Sequence, residues 1–134
     1  MFKFVKMISA MLCVSLILSM TAVVGFANNH TDTHWEFFVT NVDSKTEERQ
    51  KADSSDMYVK YESGKHDVLH TACYAGTQNV TTTAEHYVPV SRYQEVFVPN
   101  YGLDMNGGWV SAHFSSVSIS KLGSASGLWS PDSV

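Results

Sequence analysis

The sequence predicts an all-β domain, a small antiparallel β-sandwich, behind a secretory signal. Three observations lead there. Apolar and polar side chains alternate along most of the chain after residue 30, the period of a half-buried strand. Turn residues interrupt that alternation at short intervals, as at Ser63-Gly64-Lys65 and Asn106-Gly107. No long stretch of the same region carries the 3.6-residue apolar period of an amphipathic helix. A small β-barrel is the alternative closure of the same strands.

The first 27 residues stand apart. Lys3 and Lys6 precede an uncharged run from Met7 to Val24, and Gly25-Phe26-Ala27 places small residues at −3 and −1 of a cut after Ala27. This is the layout of a signal peptide, so residues 1–27 are expected to be removed and residues 28–134 to form one secreted, extracellular domain. An uncleaved anchor is the competing reading, and the polar Asn28-Asn29-His30 beyond the site favours cleavage. Membrane contact is then expected only through the signal before cleavage. Loss of the signal takes two lysines and no acid, leaving seven basic and thirteen acidic side chains, a net charge of −6. Such a surface is unsuited to phosphate backbones, so nucleic acid is not an expected partner. Cys73 is then the one remaining cysteine, so no internal disulfide is possible. It alternates with Leu69 and Thr71 on one strand face and is expected in the core.

Strands are expected at 34–42, 56–62, 67–74, 87–90, 95–98 and 109–119, with a short last one at 127–129. Trp35, Phe37 and Val39 share one face of the first; Met57, Val59 and Tyr61 share one face of the second. Asn106-Gly107 supplies the positive φ angles of a type I′ turn, so a hairpin is expected to pair residues near 96–103 with 109–116. Pro99 points to an edge or a bulge. Residues 43–56 are charge-dense without an apolar stripe and read as a solvated loop, short helix or hairpin tip. Gly123-Ser-Ala-Ser-Gly127 reads as a flexible loop. It lets Leu128 and Trp129 fold back onto the sheet as a structural closure; an exposed Trp129 anchoring a partner is the alternative.

Sites that could carry chemistry are few. Six histidines raise metal binding. His66 and His70 have the i, i+4 spacing of a zinc-protease helix, but on a strand they lie about 13 Å apart and the required Glu is absent. After cleavage, the amine and amides of Asn28 and Asn29 with the His30 imidazole form a square-planar nitrogen set suited to Cu(II) or Ni(II). An idle tail is its competitor. Cys73 with His113 is the one thiol–imidazole pair that strand geometry allows. Asp104-Met-Asn106-Gly-Gly108 starts like a calcium loop but lacks the closing Glu, so turn chemistry explains it better. Tyr58, sharing a face with Lys60 and Glu62, is the best exposed aromatic for stacking on sugar or peptide. No catalytic residue and no cofactor are assigned.

Three segments carry a resemblance: Asp32-Thr33-x-x-x-Phe37, then Arg49-x-Lys51-x-Asp53-x-Ser55-x-x-Tyr58-Val59-Lys60-Tyr61, and the tail Ser126-Gly127-Leu128-Trp129-Ser130-Pro131-Asp132-Ser133. Over most of residues 32–133 the chain resembles a set of small secreted proteins of Gram-positive bacteria without established function. More loosely it is similar in plan to lactococcin-like bacteriocins, whose defining motif it lacks. The resemblance implies a secreted all-β fold and a Gram-positive source. The expected function is non-enzymatic binding of an extracellular protein or a cell-envelope component. A bacteriocin-like antimicrobial effector and a small hydrolase using Cys73 or a histidine are the alternatives.

Overall fold

The computed structural model describes residues 30–39, 43–117 and 123–133. The signal segment, Asn28 and Asn29 lie outside them. Ten strands are described: β1 (Thr33–Val39), β2 (Ser44–Lys45), β3 (Arg49–Gln50), β4 (Met57–Gly64), β5 (Val68–Ala75), β6 (Gln78–Asn79), β7 (Val88–Ser91), β8 (Glu95–Val98), β9 (Trp109–Ser116) and β10 (Gly123–Ser130). They form two separate antiparallel sheets, a β-sandwich rather than a closed barrel. One sheet has the order β1-β10-β4-β8. In the other, β9 and β5 are central, with β2 and β3 pairing β9 and with β6 and β7 pairing β5.

Alternation puts the core where the sequence predicts it. Trp35 and Val39 of β1, Met57, Val59 and Tyr61 of β4, and Leu69 and Cys73 of β5 are all buried. The two sheets meet through aromatic rings: Trp35 lies stacked on Phe114 of β9, centroids 4.2 Å apart, with the Tyr61 ring edge-on at 6.2 Å. Such contacts add to plain area burial.

Three expectations are corrected. Asn106 and Gly107 do take positive φ, 51° and 66°, but no hairpin follows. β8 pairs with β4 and β9 with β5, in different sheets. Two 3₁₀ turns, Gly102–Asp104 and Asn106–Gly108, carry the chain across. The left-handed residues serve a crossover instead of a two-residue loop. Pro99 directly follows β8, an edge strand, as its missing N–H requires.

The Gly123–Gly127 run is not a loop. It is the first half of β10, hydrogen-bonded between β1 and β4. Its small residues are there because neighbours come close. A Cβ on Gly127 would lie 1.9 Å from the Lys60 carbonyl oxygen and 2.9 Å from Trp35 Cζ2. The β10–β4 register also shifts between Ser126 and Gly127, leaving Glu62 as an extra residue on β4.

The charge-dense segment 43–56 is not wholly solvated either. β2 and β3 lie along β9, and Lys51, just after β3, is 4% exposed.

Candidate functional site

The two segments quoted above for their resemblance, 49–61 and 126–133, meet at one end of the four-stranded sheet. Lys51 runs inward beneath the tail. Its Nζ lies 3.0 Å from Asp132 Oδ1, with both side chains fully buried. The same ammonium donates to the carbonyl oxygens of Ser55, at 2.7 Å, and Pro131. Asp132 Oδ2 accepts the Ala52 N–H at 2.7 Å. Ser133 N–H donates to Ser55 Oγ at 3.0 Å, and Ser130 Oγ donates to the Asp132 carbonyl at 2.6 Å. The Ser55 hydroxyl in turn donates to Asp53 Oδ1, which is the first cause of an Asp53 carboxyl held below its usual range. A buried charge needs a partner and filled hydrogen-bond positions. Here the cation fills two carbonyl oxygens and Asp132 Oδ2 is filled by the Ala52 N–H, while Oδ1, 3.0 Å from the ammonium, has no hydrogen-bond partner among the described residues.

Arg49 ties the same tail from its other side. Its Nη1 donates to the Thr31 carbonyl at 2.7 Å and Thr33 Oγ1 at 2.8 Å, and its Cζ sits 5.5 Å from the Trp129 ring centroid. Trp129 is 1% exposed and belongs to the core. The structural reading of this residue holds, and its packing leaves no indole face for a partner.

Over this locked tail lies a cleft of about 360 Å³ lined by His30, Asp32, Tyr58, Phe97, Ser130, Asp132 and Ser133. Tyr58 and Phe97 are directly opposite in the β4–β8 register, and their rings tilt together at 5.9 Å. Phe97 is 51% exposed. The Tyr58 hydroxyl donates to Glu95 Oε2 at 2.9 Å. Burial, that hydrogen bond, and the negative charges of Glu95, Asp32 and Glu62 together push the phenol up to about 12. The aromatic shelf therefore sits in a negative potential. Tyr58 was expected as an exposed aromatic and does lie off the core face, but it is half-buried; Phe97 was not singled out, although alternation on a short strand beside Pro99 was the available signal. His30 lies on the rim of this cleft, and the other members of its nitrogen set fall outside the described residues. Among the described residues no group of three or more histidines, cysteines or acids is placed to hold a metal ion.

The remaining histidines scatter. His66 is buried between Gly123 O, 3.4 Å from Nε2, and Ser116 Oγ, 3.2 Å from Nδ1. His70 faces outward on β5, away from it. Cys73 is fully buried and desolvation pushes its thiol up to about 12. Its β9 neighbour is Ala112, while His113 points to the other face and stacks on Tyr74. The thiol–imidazole pair does not form.

His70 and His113 do share a shallow outer groove with Asp43, Glu85, His86, Tyr74 and Tyr87. Each imidazole stacks on a tyrosine, His70 on Tyr87 at 3.8 Å and His113 on Tyr74 at 3.7 Å. Burial lowers the pKa of both; for His113 it outweighs the opposing pull of Asp43, and Lys45 adds to the lowering. Asp43 Oδ2 lies 3.4 Å from His113 Nδ1, while Nε2 is buried without a hydrogen-bond partner among the described residues. Protonation at Nε2 would thus bury an unmatched donor. The sign is that of a depressed histidine: the folded state binds the proton less readily than the unfolded chain. Stability is fully present above about 6.5 and is lost as pH falls through the folded values. The urea midpoint should drop between about pH 7 and pH 5, ahead of carboxylate titration. His113→Gln should flatten that part of the profile. An unchanged slope in this variant would place the titration elsewhere.

No curated protein and no solved structure matches the chain. A family model does, across residues 22–133, a span that takes in every described strand and the locked tail. The chain belongs to the family described as protein of unknown function, DUF2712.

Proposed function

We propose that the chain acts outside the cell as a non-enzymatic binding domain, and that the Tyr58–Phe97 cleft is where it meets its ligand. The observation that carries this reading is the pairing of a partly exposed aromatic shelf with a negative surround. Phe97 is half-exposed beside Tyr58, and Asp32, Glu62 and Glu95 act on the Tyr58 hydroxyl. An aromatic face attracts a cation by about 0.5–2 kcal/mol, and nearby carboxylates strengthen that attraction. The floor is rigid, because the tail beneath is held by Lys51, Ser55 and Arg49. A preformed cleft loses little entropy on binding. The partner is therefore one that presents an ammonium or guanidinium group, as an extracellular protein or an envelope component does. The net charge of −6 expected after signal removal points the same way, steering cationic partners inward.

Trilysine is a sufficient probe. Titrated into isotope-labelled protein at low salt, it should shift amide resonances around Tyr58, Phe97 and Asp32. Triglutamate should not. Phe97→Ala, at an exposed position, should keep the fold and weaken the response about 3- to 30-fold, the loss of one cation–π contact. Shifts confined to other surfaces, or equal affinity in Phe97→Ala, would sink the assignment.

A further inference from the structure

The Lys51–Asp132 pair is arranged for more than electrostatics. We propose that the two side chains condense to an intramolecular amide, a covalent bond that ties the segment after β3 to the tail after β10. This does not depend on the binding reading above.

The case rests on contact distance, burial and an unmatched oxygen: Asp132 Oδ1 is buried with no hydrogen-bond partner among the described residues. Lys51 Nζ donates to the Ser55 and Pro131 carbonyls and lies 3.0 Å from Asp132 Oδ1. Amide formation needs the acid and the amine in their neutral forms, and neither side chain is exposed to water. One proton must pass from Nζ to Oδ1, 3.0 Å away. Its transfer leaves a neutral amine whose two remaining protons stay on the Ser55 and Pro131 carbonyls. The lone pair so freed has the Asp132 carboxyl within contact distance. The same transfer turns Oδ1 into a hydroxyl, the required leaving group.

Attack of Nζ on Cγ then forms the C–N bond and moves charge onto Oδ2. That oxygen already accepts the Ala52 N–H at 2.7 Å, a fixed donor for the developing oxyanion. Collapse breaks the Cγ–Oδ1 bond. The departing oxygen takes a proton from nitrogen and leaves as water. One amine and one carboxylic acid give one amide and one water, with no oxidant or other reactant. Holding the reactants at contact distance supplies the effective concentration that free lysine and aspartate lack. Exclusion of water disfavours the reverse hydrolysis. Asp53 and Ser55, linked by hydrogen bonds to each other and to the tail, hold the loop that carries the Ser55 carbonyl.

Such a bond fits a chain whose mature form has one cysteine, buried and unpaired. It would close a loop spanning most of the domain, as a disulfide does in other exported proteins.

The test is mass spectrometry of the purified, fully denatured protein. The expected intact mass is about 18 Da below that of the sequence, the loss of one water. A succinimide at Asp132-Ser133 loses the same mass, so peptide mapping must separate the two. The amide predicts resistance to trypsin after Lys51 and a linked species joining residues 50–60 to 122–134. Lys51→Met should restore the full mass. Wild-type protein at full mass with a free 122–134 peptide overturns the proposal. So does a mass deficit that maps to the 122–134 peptide alone. Both outcomes are read on wild-type protein and do not require any variant to fold.

Discussion

Asp132→Ala should cost about 3–5 kcal/mol of folding free energy, the usual cost of stranding one member of a buried ion pair. Lys51 would keep its Ser55 and Pro131 carbonyls and lose its counter-charge. The Ala52 N–H would lose its acceptor at the same time. Urea unfolding followed by tryptophan fluorescence measures the effect. The midpoint should fall steeply, because that loss is a large share of a small domain's 5–15 kcal/mol, to an order of magnitude. If Lys51 and Asp132 are covalently joined, the variant loses the bond as well and the direction is unchanged. A loss under about 1 kcal/mol, the scale of an exposed pair, would show that the ammonium reaches water when its partner is gone. The double variant Lys51→Met, Asp132→Leu separates charge from packing. Replacing both ions with apolar groups removes the desolvation cost, and it should recover much of the lost stability.

This pair also marks where the sequence stopped being readable. The strand alternation was legible because it is local: a period of two at Trp35, Phe37 and Val39 is written in consecutive residues. So were the left-handed angles at Asn106 and Gly107. What they connect depends on the neighbouring strand, and here β8 and β9 belong to different sheets. The Gly123–Gly127 run misled for a related reason. Glycine and serine read as loop residues by propensity. Their smallness at β10 answers instead to Lys60 and Trp35, far off in sequence. Lys51 sat in the most charged stretch of the chain, and a charge run is ordinarily a solvated face. Only the return of Asp132, after 80 intervening positions, makes burial of that lysine tolerable. The resemblance spans both segments but carries no sign that they meet. Tyr58 was legible by exclusion from the core face, whereas the acidic surround and its partner Phe97 required the register of β4 with β8.

Trp129→Ala should cost about 3–5 kcal/mol, in the range measured for removing a large aromatic from a close-packed core. Its indole is the largest wholly buried side chain among the described residues, on a central strand where it pairs with Thr33 of β1 and Val59 of β4. Truncation would open a void that these strands cannot close. β10 is hydrogen-bonded on both sides, and the approach of Gly127 to Lys60 fixes its distance from β4. The loss would also reach the surface. Arg49 would lose the ring beneath its guanidinium, and with it part of the hold on Thr31 and Thr33 beside the cleft. Thermal melting and the trilysine titration together separate structure from contact. A lowered midpoint, with near-normal trilysine affinity well below that midpoint, is expected of a core residue placed behind the site. An unchanged midpoint with binding lost would make Trp129 a contact residue, and its burial beneath the tail would then have to open when ligand binds.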